Sequence, residues 1–120
     1  MMKAILIFTF VLISTLLYAQ KYANPVSPEK RQFILERSAI GYFDDMAVLY
    51  SIHKSREKRG KLGYVSLLRF NKTIKAKIKK TPVNSVSNWF LTDNTYYLFL
   101  VEDKKLGFYK LAMIRLSIPD

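Results

Sequence analysis

Few residues in this chain have the types and spacing that chemistry requires. His53 is the single histidine, flanked by Ser51 and Ser55, with Glu57 four positions on. A histidine and a carboxylate one helical turn apart could move a proton. Ser-x-His-x-Ser, however, matches neither a nucleophile elbow nor a triad spacing. The basic run that follows would lower the imidazole pKa and disfavour an imidazolium, so His53 is expected to be a surface or capping residue. Asp44-Asp45 and Glu102-Asp103 are the adjacent acid pairs. Two carboxylates facing each other across a cleft can hydrolyse a glycoside, but a helix start and a turn account for these two pairs more simply.

No His, Asp or Glu cluster has metal-ligand spacing, and the four glycines form no phosphate-cradling loop. With no cysteine in the chain, disulfides and thiolate chemistry are excluded. No catalytic residue, metal ligand or small-molecule cofactor is expected, and the chain reads as non-enzymatic.

The one pronounced feature is electrostatic. Lys54–Lys80 holds eleven Lys or Arg and one acid, Glu57, a net +10. The remainder of residues 20–120 balances, so the positive charge is local. Lys54, Arg56, Lys58, Arg59 and Lys61 form one group, and Lys75, Lys77 and Lys79 a second at every other position. Alternation on a strand would set the second group roughly 6–7 Å apart on one face, comparable to the charge spacing of a phosphate or sulfate polymer. Tyr64 and Phe70 would share that face and offer rings for stacking. The partners to expect are an anionic glycan, a lipid headgroup or nucleic acid. Lysines on an outward strand face can also serve only to keep an edge from pairing, and a charge run at a helix end or turn can be merely a solvated face. A different class of function, docking to a protein partner, would use the aromatic C-terminal hairpins, with Trp89 and Tyr97 as the anchors.

The elements that must position these residues follow from local pattern. Met1–Ala19 has one cation, Lys3, before an apolar or hydroxyl run from Ala4 to Leu17, and a small residue at Ala19. That run suits a secretory signal and is short of the roughly 17–25 residues needed to span a bilayer. The chain is therefore expected to be exported, periplasmic or secreted. The alternative is anchoring by uncleaved residues 4–19. Residues 20–120 form one domain by length, and half the chain is apolar.

Ser27-Pro28-Glu29 starts a helix over 28–40 that closes at Gly41. Residues 44–58 suit a second helix, with Asp44-Asp45 at its start and cations at its end. Met46, Val48, Tyr50 and Ile52 also alternate, which would suit a strand. After Gly60 a hairpin is expected, with strands 62–70 and 73–80 joined at Asn71-Lys72 and Phe70 opposite Thr73. Val65, Leu67, Ala76 and Ile78 would face the core.

Residues 81–87 read as a loop, 87–91 as a short strand and 92–94 as a turn. Thr95–Val101 is apolar on both faces, as a doubly covered central strand would be. Residues 102–105 suit a polar turn and 106–117 the last strand. The expected class is α+β: one N-terminal helix and a second, packed on a meander of four or five antiparallel strands. In outline this is similar to cystatin-type rolls, a likeness of shape that carries no function. A small oligonucleotide-binding β-barrel is the alternative if 46–53 is a strand.

Overall fold

The computed structural model describes residues 27–118. The expected leader Met1–Ala19, the lead-in Gln20–Val26 and the terminal Pro119-Asp120 lie outside the described residues. Among the described residues no helix is long and apolar enough to cross a membrane.

Helix α1, Pro28–Arg37, begins as its sequence predicts. Ser27 Oγ accepts the Lys30 N–H at 3.2 Å, and the proline occupies the first turn, where no N–H is needed. A π-type turn, Ser38–Tyr42, carries it into α2, Phe43–Tyr50. The expected pair of separate helices is therefore one long helix with a kink at Gly41, whose φ of 108° suits glycine. The second half is also shorter than expected. It stops at Tyr50, and Lys54–Lys58 is a separate 3-10 turn. Ser51 marks the break: its Oγ accepts the Arg115 N–H at 3.1 Å and the His53 N–H at 3.3 Å, fastening the chain to the sheet.

The sheet is antiparallel and open, with strands β1 Lys61–Ser66, β2 Ser85–Val86, β3 Phe90–Thr92, β4 Thr95–Lys105 and β5 Phe108–Ser117. β5 lies between β1 and β4, and β2 and β3 share the outer edge of β4. An open sheet with helix over 43–50 removes the barrel alternative. The expected polar turn at 102–105 is instead the end of β4, and the reversal falls on Leu106-Gly107 between the paired Lys105 and Phe108. Glu-Asp-Lys-Lys has the composition of a turn, but pairing with β5 holds Asp103–Lys105 extended. Asp103 belongs to the strand ladder, paired with Lys110, and the ladder shifts register between Val101 and Asp103.

Both faces of β4 are covered, as its composition predicts. Leu98, Ala112, Ile114 and Leu116 pack with Ile34, Phe43, Met46 and Ala47 of the kinked helix. Phe99, Val101, Leu111 and Met113 pack on the opposite face with Val65, Leu67, Phe90, Ile74 and Ile78. The last two belong to α3, Lys72–Lys80, which overturns the expected hairpin.

The physical reason is local. Asn71 does not sit in a two-residue turn; its Oδ1 accepts the Ile74 N–H at 2.9 Å and caps a helix. Ile74 and Ile78, alternate positions on a strand, are also neighbours one helical turn apart. Both are buried, while Ala76 between them is exposed. Each isoleucine contributes roughly 1.5–3 kcal/mol by burial. β1 accordingly ends at Ser66 and pairs with β5, not with 73–80.

Gly60 joins the 3-10 turn to β1 at φ 81°. A Cβ there would lie 2.8 Å from the Met113 carbonyl oxygen and 2.9 Å from Ala47 Cβ, so the approach of the turn to β5 requires glycine.

Candidate polyanion-binding face

α3 presents its charge on the side away from the core. With 3.6 residues per turn, Lys72, Ala76, Lys79 and Lys80 stand opposite Ile74 and Ile78, and Lys75 and Lys77 occupy the two flanks. Lys72, Lys77, Lys79 and Lys80 are exposed and Lys75 is half-buried. The helix has no acid of its own. Lys75 and Lys79 are like charges at i,i+4, as are Lys72/Lys75 and Lys77/Lys80 at i,i+3, and each such pair costs roughly 0.2–0.5 kcal/mol. Lys72 also lies at the positive end of the helix dipole, whereas Lys77, Lys79 and Lys80 in the last turn complement its negative end.

Beside α3, on the same face of the sheet, lies a groove of about 450 Å³. Its cations are Lys54, Lys58, Lys61 and Arg69, and its apolar floor is Leu62, Phe70 and Met113. Arg69 and Phe70 lead through the Asn71 cap directly into α3, so the groove adjoins the first turn of the helix. Glu57 is the acid at the groove. Among the described residues, the ion pair made by this basic stretch is Lys61 to Glu102, at 3.9 Å. A second cavity, of about 530 Å³, lies beside the helix kink and is lined by Ser38, Asp44, Lys61 and Glu102 among others. Its two acids make it unsuited to an anion.

The expected site residues separate into those the fold gathers and those it does not. Lys54, Lys58 and Lys61 meet at the groove with Phe70, whose ring stands edge-on to Phe99 with centroids 5.8 Å apart. Lys75, Lys77 and Lys79 share a helix but not a face, so the expected row along a strand is replaced by a cylinder of charge. Arg56 and Arg59 are exposed on or beside the 3-10 turn and do not line the groove.

Tyr64 leaves the group. Strand alternation turns it away from Val65 and the α3 side. Its hydroxyl donates to Asp103 Oδ2 at 2.5 Å, and Lys105 Nζ lies 5.2 Å from its ring centre. That bond holds the Asp103 carboxyl below its ordinary pKa, aided by the Lys104 N–H, and raises the Tyr64 phenol. Tyr64 and Phe70 therefore do not stack a common ligand.

Trp89 and Tyr97, the docking alternative, are both engaged internally. Trp89 Nε1 donates to the Arg31 carbonyl at 2.7 Å, and Tyr97 stacks with Phe90 and Phe99 at centroid distances of 5.8 and 6.1 Å.

His53 is a cap. Its Nδ1 accepts the Ser55 N–H at 3.0 Å, opening the 3-10 turn, and Ser55 Oγ lies 2.8 Å from the same nitrogen. Burial, then the charges of Arg115 and Lys54, lower its pKa from the usual 6.5. Among the described residues no three His, Asp or Glu converge as a metal site would require.

Sequence reasoning missed Lys72, Lys80 and Arg69 as members of the surface. The signal that could have found them was the pairing of an Asn cap with isoleucines at i,i+4. Comparison with protein-family models and with curated proteins finds no match for this chain.

Proposed function

We propose that this is an exported, non-enzymatic protein that binds an extended polyanion along the sheet face formed by α3 and the adjoining groove. The observation that carries the proposal is the helix itself: five lysines in nine residues, without an interleaved acid. Its i,i+3 and i,i+4 lysine pairs repel with no acid on the helix between them, although Lys77, Lys79 and Lys80 in the last turn complement the negative end of the helix dipole. Edge protection, one alternative account of these lysines, needs a strand, and they stand on a helix; a merely solvated face is the other, and a salt titration separates it from binding. The ligand class is an envelope or extracellular polymer with closely spaced phosphate, sulfate or carboxylate groups.

The test is a titration of the protein against an oligonucleotide and a sulfated or carboxylated glycan across a salt series. Engagement of about five phosphates gives a log–log slope near −4 to −5 on DNA. Replacing Lys72, Lys75, Lys79 and Lys80 by Ser together should flatten that slope. Absence of binding by the parent at low salt overturns the proposal.

Docking to a protein partner is the second reading. Its support lies not in Trp89 and Tyr97 but in Ile40, Leu49 and Ile52 of the kinked helix and its exit, exposed by 67%, 62% and 55%. The likeness to cystatin-type rolls stays one of outline, a helix laid across an antiparallel sheet.

A further inference from the structure

Two hairpin turns of equal length differ in a way that backbone energetics does not explain. Asp93-Asn94 joins the paired Thr92 and Thr95, and Leu106-Gly107 joins the paired Lys105 and Phe108. All four turn residues have positive φ: 52° and 57° in the first turn, 41° and 85° in the second. Asp and Asn tolerate this conformation and dominate such turns. Leucine does not, since its Cβ crowds the following carbonyl.

Leu106 nonetheless occupies the position, and its side chain is fully exposed. Phe108, the next residue but one, is 50% exposed. Folding gains nothing from Leu106 at this tip. An apolar medium outside the protein would.

The surroundings of the tip say which medium. Lys104 and Lys105 precede it and Lys110 follows, three cations against the carboxylate of Asp103, which pairs with Lys110 across the ladder and accepts the Tyr64 hydroxyl. α3 points its most basic end the same way. Its first turn is tied to the Asp93 end of the sheet, where Asn71 Nδ2 donates to Thr92 Oγ1 at 3.3 Å and Asp93 Oδ2 at 3.5 Å. Beyond its last turn the chain is held further along β4, where the Asn84 N–H donates to the Val101 carbonyl at 2.7 Å. Lys77, Lys79 and Lys80 therefore lie toward the Leu106 end. Two apolar side chains are far too small for a protein interface of roughly 800 Å² per partner. Apolar at the point and cationic around it, the tip complements a surface that is anionic outside and apolar beneath.

We propose that the β4–β5 hairpin docks end-on into an anionic lipid bilayer. Leu106 and Phe108 enter the boundary between headgroups and acyl chains, and Lys104, Lys105 and Lys110 meet the headgroups. The electrostatic share of this rests on the basic-face reading; the apolar share stands independently of it.

The test uses phosphatidylglycerol-containing vesicles and the variant Leu106→Asn. Asparagine suits the turn, so the variant should melt at a higher temperature than the parent while partitioning about tenfold more weakly, with oligonucleotide binding unchanged. The chain has no cysteine, so Leu106→Cys and Asp93→Cys each take a single environment-sensitive fluorophore. The probe at 106 should become shielded from an aqueous quencher on the vesicles and the probe at 93 should not. Vesicle partition unmoved by Leu106→Asn, or a probe at 106 as quenchable as that at 93, overturns the hairpin proposal and leaves the basic face standing. Failure of the parent to bind oligonucleotide while the 106 probe is shielded overturns the basic face alone.

Discussion

Replacing Ala76 by glutamate tests both the placement of the basic segment and its role. On α3, Ala76 is exposed, with Lys72 at i−4, Lys79 at i+3 and Lys80 at i+4. Glu–Lys pairs at these spacings contribute about 0.2–0.5 kcal/mol each, and glutamate placed before lysine is the better orientation. Exchanging alanine for glutamate in a helix costs a few tenths in propensity. The variant should therefore be as stable as the parent or slightly more so, by about 0.5 kcal/mol. On a strand with Ala76 turned inward, the same change would bury a carboxylate and cost roughly 3 kcal/mol or more. Ile78→Ala is the opposite control. Its side chain is wholly buried, so truncation should cost about 2–5 kcal/mol.

Urea denaturation with equal slopes for parent and variants reads both effects. In a salt titration against an oligonucleotide, the added carboxylate should make the log–log slope shallower by about 1. A loss of more than about 2 kcal/mol on Ala76→Glu would place this side chain in the core and refute the helix.

Gly60→Ala should destabilise the fold by about 2 kcal/mol or more, because positive φ and the 2.8 Å approach to the Met113 carbonyl oppose a Cβ together; a variant melting with the parent would show that the turn can move away from β5. His53 has its folded pKa lowered below the usual 6.5, so the unfolded chain binds the proton more tightly and stability should fall as pH drops from about 6.5 through the folded value. Protonation also removes the lone pair with which Nδ1 accepts the Ser55 N–H, and NMR titration of the imidazole beside melting curves checks both. A His53 titrating at or above its ordinary value would refute the cap.

The candidate site was legible in amount and hidden in shape. Charge within Lys54–Lys80 is a count, independent of conformation, and it led directly to α3 and the groove that adjoins its first turn. The grouping within it was not legible. Tyr64 was expected beside Phe70, but β1 pairs with β5 and turns the two rings to opposite sides of the sheet. Residues 102–105 show the same difficulty: Glu, Asp and two lysines have the composition of a turn, but the long ladder with β5 holds them extended. The turn fell instead on Leu106-Gly107, whose first residue no turn preference would select.

By itself the sequence determined what depends on neighbours a few residues apart. Ser27-Pro28 starts a helix because a hydroxyl and a missing N–H suit a first turn wherever it lies. Thr95–Val101 is a central strand because side chains that are apolar on both faces need cover on both. Lys72–Lys80 was beyond that reach. In Lys-Thr-Ile-Lys-Ala-Lys-Ile-Lys-Lys a repeat of two is also a repeat of four, so Ile74 and Ile78 align equally on a strand or a helix. The tertiary structure chose between them. Val65, Phe99, Val101, Leu111 and Met113 form an apolar sheet face that must be kept from water. A helix laid across that face buries two isoleucines on it and caps its own first turn with Asn71, whereas a strand added at the β1 edge would have lengthened the sheet and left the face open.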